Sequence, residues 1–426
     1  MRKRTKHRVP SAVQNLVIVC LIFSALFLLL RTGLVRTEAL NQVFSTVSQG
    51  TSMVPERTAS MQLPVHIAVR TGGECRAWMS ETTTGNIFDD FGPLLTEALG
   101  SASSESTASE EEFRRALENS CVYFDFTATL PLTLLEHCLG SSGGAPQISA
   151  RALLLSSGQN STLVLYAWDQ NSDLYYRWST SVPADNLQTA ADKHTGNSAE
   201  FAFLSDAPYN TLMPYTLICQ DRLVLSELTA ATNLDDTAKD TLLTQLEFNI
   251  HSTSRYTESN GAEIVGQGTR TLRIAPDGTI FYNGGSDEVP SLLVTHAGED
   301  ATLAECLDAA WQTAVTLLTD HTGDALLYLT SAKMDRRGNA EISFGYMVAG
   351  YPVALQEDAV RIEIEGNQIT GITLHLCSYT ASDKTTTLLP VLQAAAAVQS
   401  DTPQELFPGY LDDGSELLSP LWLSRS

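Results

Sequence analysis

The string Gly140-Ser141-Ser142-Gly143-Gly144 fits the G-x-S-x-G pattern of hydrolase elbows, where a strained strand-to-helix turn exposes the serine as a nucleophile. That chemistry needs a helix immediately after the serine. Gly143-Gly144-Ala145-Pro146 follows instead, and such a run does not open a helix, so a flexible loop is expected. His375 and Cys377 are metal-ligand types whose spacing places them on one strand face. No third ligand sits nearby in the sequence, and the expectation is two outward side chains with no metal. None of the six lysines (Lys3, Lys6, Lys193, Lys239, Lys333, Lys384) has a serine three residues before it, so S-x-x-K acylation chemistry is missing. The eight histidines are scattered without H-E-x-x-H, and Gly266-Gln267-Gly268 lacks the third glycine and helix of a dinucleotide loop. Asp277-Gly278 reads as hairpin chemistry rather than a cation loop. From the sequence, therefore, no catalytic, cofactor or metal site is assigned and no cofactor is expected.

The elements that would carry these residues indicate an α+β fold with antiparallel sheets. Pro64–Arg70 reads as a first strand and Phe91–Ser101 as a short helix. Ser109 and Glu112 form a capping-box pattern that opens the helix EEEFRRALEN. Its acidic start, Glu110-Glu111-Glu112, faces the positive end of the helix dipole. Cys121–Phe126 follows as a strand with Val122, Phe124 and Phe126 on one face. Arg151–Ser156, Thr162–Trp168 and Leu174–Thr180 form an antiparallel meander. A helix-then-strands pattern then occurs twice. Asn233 and Asp236 cap a helix striped by Ala238, Leu242 and Leu246, with strands at 262–266, 269–274 and 279–283 behind it. Leu303, Leu307, Ala310, Ala314 and Leu317 stripe a second helix, with strands at 326–331, 341–348, 360–364 and 369–379. These are two related helix-plus-strands units behind an N-terminal domain.

Charge and hydropathy add a membrane reading. The chain has 426 residues with 26 basic and 49 acidic side chains, a formal charge of −23. Such acidity repels polyanions, so nucleic acid is not an expected partner. The first residues run the other way, with Arg2, Lys3, Arg4, Lys6 and Arg8 and no acidic group before residue 30. Val9–Leu30 is uncharged, and as a helix it would span roughly 33 Å at about 1.5 Å per residue, enough for a bilayer core of about 30 Å. No small-x-small cleavage site follows it, and Arg31-Thr32-Gly33 continues the chain, which favours an uncleaved anchor over a signal peptide. Five basic residues before the segment and two behind it (Arg31, Arg36) predict a cytoplasmic N-terminus and an extracytoplasmic body, hence a single-pass cell-membrane protein. Within the segment, Gln14, Asn15, Ser24 and Ala25 are the groups suited to contact a partner's transmembrane helix. The seven cysteines lie more than four residues apart, so zinc-ribbon and redox-dithiol motifs are excluded, and most are expected as buried small hydrophobes. The organisation is a tip and anchor over 1–37, a stalk over 38–62, and α+β domains over 63–215, 216–298 and 299–426.

In order along the chain, FGPLLTEALGSAS (91–103), SEEEFRRALENSCVYFDF (109–126), TRTLRIAPDGTIFY (269–282), ISFGYMVAGYPVAL (342–355), VRIEIEGNQITGITL (360–374) and GYLDDGSELLSPLWL (409–423) resemble the YycH family. That family comprises membrane-anchored accessory proteins, acting with YycI, of a cell-wall two-component system. The resemblance, to a divergent member, implies a non-enzymatic regulator whose partners are a membrane sensor histidine kinase and a YycI-like accessory protein. It carries over no catalytic residue. The other function class is an anchored extracytoplasmic cell-wall enzyme or glycan-binding module, which would need convergent carboxylates or an aromatic platform. The five tryptophans (Trp78, Trp168, Trp178, Trp311, Trp422) are mostly dispersed.

Overall fold

Strand alternation that is apolar on both faces marks the first half of the molecule, and the structure buries both faces. The computed structural model describes residues 66–425 except 79–80, 142–143, 159, 220, 233, 252, 286–291, 293, 295–300, 320 and 399, with only the backbone of 81–86. The anchor segment 9–30, with Gln14, Asn15, Ser24 and Ala25, lies outside the described residues. Among the described residues, no helix is long and apolar enough to cross a membrane.

The chain is a mixed α+β protein with antiparallel sheets and, among the described residues, seven α-helices. Strands β1 (His66–Thr71), β2 (Glu74–Trp78), β3 (Ser103–Ala108), β4 (Cys121–Pro131), β5 (Ser149–Ser157), β6 (Thr162–Asp169), β7 (Leu174–Pro183), β8 (Asn197–Phe201) and β9 (Leu217–Cys219) form one sheet. Its order is β3-β7-β6-β5-β4-β1-β2-β8-β9. The 162–183 region pairs as the expected meander, with Leu165 opposite Leu155 and Trp178 opposite Leu165. Val122, Phe124 and Phe126 do share a face, packed with Ile67, Val69, Leu153 and Leu155 beneath helix α1 (Glu81–Gly100). The opposite face presents Tyr123, Leu154 and Trp168 to Phe113 and Leu117 of α2 (Glu110–Glu118).

The capping box of α2 is formed in full. Ser109 Oγ accepts from the Glu112 amide at 3.2 Å, and Glu112 Oε2 accepts from the Ser109 amide at 2.9 Å. Helix α1 starts earlier than the 91–101 expectation and carries Pro93 in its interior. Proline and the weak helix formers of ETTTGN oppose a helix there. The buried face of Ile87, Phe91, Leu94, Leu95 and Ala98 overrides them by packing on the sheet. Two short helices, α3 (Leu132–Cys138) and α4 (Ala184–Ala191), complete this half.

The second half builds two sheets. Strand β10 (Val224–Ala231) precedes helix α5 (Asp236–Gln245). Asp235 caps that helix, accepting from the Ala238 amide at 2.8 Å, in place of the cap expected at Asn233, a residue outside those described. Asp235 wins because its side chain sits directly before the first helical residue, the position from which an oxygen reaches the free amides. Next come β11 (Ser254–Thr257), β12 (Glu263–Gln267), β13 (Arg270–Ile274) and β14 (Thr279–Asn283), then helix α6 (Leu303–Leu318), whose stripe of Leu307, Ala310, Ala314 and Leu317 is buried. After it run β15 (Leu326–Met334), β16 (Ala340–Val348), β17 (Tyr351–Ala354), β18 (Val360–Glu365), β19 (Gln368–His375), β20 (Ser378–Thr387), helix α7 (Val391–Ala397), β21 (Glu405–Leu411), β22 (Leu417–Leu418) and β23 (Leu421–Arg425). Strands from both helix-then-strands runs join one 11-stranded sheet through β14 and β19, where Ile280 faces Leu374 and Tyr282 faces Ile372.

The segment read as a single strand over 369–379 is two. β19 stays in the large sheet, whereas β20 departs to pair with β10 in a three-stranded sheet. Leu376 and Cys377 form the break between them, so His375 and Cys377 do not share a strand face.

An ionic knot ties the first sheet to the C-terminal strands. Arg151 on β5 donates from Nε to Asp125 Oδ1 (3.1 Å) and from Nη2 to Glu405 Oε1 on β21 (2.6 Å). Arg425 on β23 donates to the other Glu405 oxygen at 2.6 Å.

Candidate functional site

The two second-half sheets leave a cleft of about 960 Å³ between them. Its walls come from the end of β10, the β13–β14 turn, the β17–β18 loop, the β19–β20 break and the loop after β21. The local chain path at its floor depends on one turn. Gly278 has φ of +88°, a left-handed conformation that side chains oppose, and a Cβ there would lie 2.4 Å from the Leu376 carbonyl oxygen. The Leu376 amide donates to the Gly278 carbonyl at 2.9 Å, so the Asp277-Gly278 turn does serve its hairpin and also holds the β19–β20 break in place.

Three side chains converge at that break. His375 Nε2 lies 3.8 Å from Asp412 Oδ2, and the ligating atoms of His375, Cys377 and Asp412 all lie within 4.8 Å of one another. Asp412 comes from the turn after β21, whose amide at residue 412 donates to the Ala354 carbonyl at 2.9 Å. Its Oδ2 accepts from the buried Tyr379 hydroxyl at 2.6 Å and its Oδ1 from the Gly414 amide at 2.9 Å. The backbone of His375 is fixed from both sides, its carbonyl accepting from Tyr346 Oη at 2.7 Å and its amide donating to Ala359 at 2.9 Å.

The electrostatics favour an ion pair. Burial alone would lower the His375 pKa, but the Asp412 carboxylate and the Cys377 side chain outweigh it and push it up to about 9. For Asp412, burial raises the pKa, and the His375 and Tyr379 contacts overcome that to leave it at about 2. Burial, and then the hydrogen bond to Asp412, push the Tyr379 hydroxyl well up. Around the trio the walls carry Asp277, Glu357, Asp413 and Glu416, with Asp358 paired to Arg361; among the described residues lining the cleft the one guanidinium is that of Arg273, itself paired with Glu258 at 3.3 Å. A cleft with this lining concentrates cations and repels anions.

From the sequence, His375 and Cys377 stand out as ligand types but are set aside for want of a third, and Asp412 does not stand out at all. Its local signal, Asp412-Asp413-Gly414, is that of an ordinary turn, and only the tertiary fold brings it to His375. The G-x-S-x-G string behaves differently. Ser142 and Gly143 lie outside the described residues. Helix α3 ends before Gly140, and residues 144–148 carry no helix. The strand-then-helix order of a nucleophile elbow is therefore not the order found there. Of the cysteines, Cys75, Cys121, Cys306 and Cys377 are buried, and burial raises the thiol pKa of Cys75 and Cys306 to about 11 and of Cys121 to about 12, values of inert core thiols.

No protein-family model matches the chain, and no curated protein matches it. Among solved structures, it resembles YycH from Bacillus subtilis with a TM-score of 0.56 at 10% sequence identity, over 86% of this chain and 95% of that one. The chain is thus a divergent protein of YycH-like fold.

Proposed function

We propose that the chain is a membrane-anchored, non-enzymatic regulator of a sensor histidine kinase that controls cell-wall metabolism, working beside a YycI-like accessory protein. The observation that carries this reading is the extent of the fold likeness. It takes in 95% of YycH, so the resemblance is to that whole architecture rather than to one common sheet. Residues 1–37 would place a basic tip in the cytoplasm and one helix in the membrane, and residues 38–62 would act as a stalk. The domains over 63–215, 216–298 and 299–426 would lie outside, the last two as related helix-plus-strands units. In lipid, helix contacts rely on close packing and interhelical hydrogen bonds, for which Gln14, Asn15, Ser24 and Ala25 are the available groups. The tether also confines the ectodomain near the kinase, so weak docking has a large effect.

The acidic cleft favours a second reading, an anchored wall enzyme or glycan-binding module, because convergent carboxylates are what that class requires. Two experiments separate them. Gentle solubilisation of the full chain, with identification of what copurifies, should yield a membrane histidine kinase. In cells, exchange of residues 9–30 for an unrelated anchor should leave at most partial activity, and secretion of residues 38–426 alone should abolish it. A fully active secreted form at native abundance would overturn the regulator reading and support the second. A reporter fused after Ser426 should be active outside the cell, and activity inside instead would remove the orientation.

A further inference from the structure

We infer that His375, Cys377 and Asp412 form a binding site for a divalent transition-metal ion of the zinc type. One imidazole nitrogen, one sulfur and one carboxylate oxygen lie within 4.8 Å of one another. Tetrahedral zinc, with bonds of about 2.0–2.3 Å, needs its ligand atoms about 3.5 Å apart. The His375–Asp412 separation of 3.8 Å is already close to this, and Cys377 Sγ lies within 4.8 Å of both, so side-chain rotation closes the set. The donor set is what selects the metal. Thiolate and imidazole favour zinc and its neighbours, whereas calcium and magnesium require oxygen shells.

The surroundings are organised as a metal site requires. Tyr379 and the Gly414 amide hold the Asp412 carboxylate, as outer partners orient a ligating carboxylate. The rim carboxylates, Asp277, Asp413 and Glu416 among them, draw cations into the cleft. Three protein ligands would leave the fourth position of a tetrahedral ion for water. The site joins the β19–β20 break to the turn after β21, two segments brought together only by the fold. This inference does not depend on the kinase reading, since it concerns the ion alone.

The test uses the full, untagged chain, stripped of metal and titrated with Co²⁺ and then Zn²⁺. The expected result is one Co²⁺ per chain with thiolate-to-cobalt charge-transfer absorption that Zn²⁺ bleaches. Cys377→Ser should abolish that absorption, and Asp412→Asn and His375→Gln should each weaken binding at least about tenfold, with circular dichroism unchanged. A readout without substitution guards against misfolded variants. In the wild-type chain, Zn²⁺ should slow alkylation of Cys377 at least about tenfold while leaving the partly exposed Cys138 unaffected. Absence of the charge-transfer band, equal binding by Cys377→Ser, or Cys377 alkylation insensitive to Zn²⁺ would each overturn the site.

Discussion

The knot around Arg151 and the cluster around Asp412 both join acidic and basic side chains from distant parts of the chain, but they differ in how their bonding capacity is used. In the knot, the Arg151 guanidinium spreads its donors over both Asp125 oxygens, Glu405 and Gln170, and the Trp168 ring lies 5.8 Å away. Asp125 also accepts from the Thr127 amide at 2.8 Å, and Arg425 takes the remaining Glu405 oxygen. Arg151, Asp125 and Glu405 are 3%, 6% and 6% exposed. In the cleft cluster, by contrast, the donors converge on a common point beside open space, and the His375 side chain is 22% exposed. Ionic groups that saturate one another and are sealed hold the fold together. Ligand-type groups of three different chemistries, gathered within 4.8 Å of one another beside a cleft, are placed to take up an ion.

The comparison breaks most readily at Arg151. Arg151→Met leaves the Asp125 carboxylate buried without its arginine and Glu405 with Arg425 alone, and the loss of one member of a buried ionic group costs about 3–5 kcal/mol. Chemical denaturation of the full chain should show a midpoint well below wild type. A loss under about 1 kcal/mol would mean that water reaches the knot and that it is not sealed. The triple change Arg151→Met, Asp125→Leu and Glu405→Leu should recover much of that loss, because it removes the buried carboxylates as well.

Gly278→Ala should come next, at about 1–3 kcal/mol. The left-handed backbone and the contact at 2.4 Å with the Leu376 carbonyl leave no room for a methyl group. The stability loss is measured by the same denaturation. Because the displaced strand break carries Cys377, cobalt affinity should fall as well, whereas Arg151→Met should leave that affinity unchanged in the folded protein. A Gly278→Ala chain of wild-type stability would show that the turn is not what fixes the cleft floor.

Acid should act on the knot with a predictable sign. Burial raises the Asp125 pKa, but Arg151 beside it outweighs this and holds it well below the usual carboxylate range; His66 lies 3.9 Å away, and Glu405, with its partner Arg425, shares Arg151 with it. A depressed carboxylate contributes stability that is fully present above its unfolded value of about 3.9 and disappears as pH falls through the lower folded value. Stability should therefore drop by roughly 1–2 kcal/mol on this account as pH is taken from about 4 to 2. His66, whose pKa burial lowers, adds a loss of the same sign, since it must be protonated in acid. Asp125→Asn should flatten the acid limb of the stability curve. An unchanged limb would place the acid sensitivity elsewhere.

How much of this could be read from the sequence follows the range of each interaction. The Ser109–Glu112 box, the meander over 162–183 and the apolar stripe of α6 are local, and each is set by residues a few positions apart. Helix α1 outran its signal because packing on the first sheet overrode Pro93 and a weak N-terminal stretch. The strand expected over 369–379 split because β20 finds its hydrogen bonds with β10, a partner that periodicity does not name. The same limit governs the candidate site. His375 and Cys377 are close in sequence and were visible as ligand types, whereas Asp412 meets them only after β19, β20 and β21 have been laid into two sheets. The Arg151–Glu405 contact escaped for the same reason.

The smallest stability effect tests the other half of the comparison. Tyr379→Phe removes one hydroxyl, the donor at 2.6 Å to Asp412 Oδ2, and keeps the buried ring that packs against Tyr346 at 5.4 Å between centroids. Asp412 retains the Gly414 amide and the His375 contact, so a loss of about 1 kcal/mol is expected, near the net worth of one such hydrogen bond. If the cluster served the fold alone, as the knot does, that would be the whole consequence. If its ligand atoms are held for an ion, the carboxylate freed from Tyr379 should also bind more weakly, and Co²⁺ affinity should drop by about 10–100-fold with the one-to-one stoichiometry and the thiolate absorption retained. Denaturation and cobalt titration on the same preparation read the two effects separately. A fall in stability of several kcal/mol with metal affinity unchanged would make the cleft cluster a second structural knot and erase the distinction between the two regions.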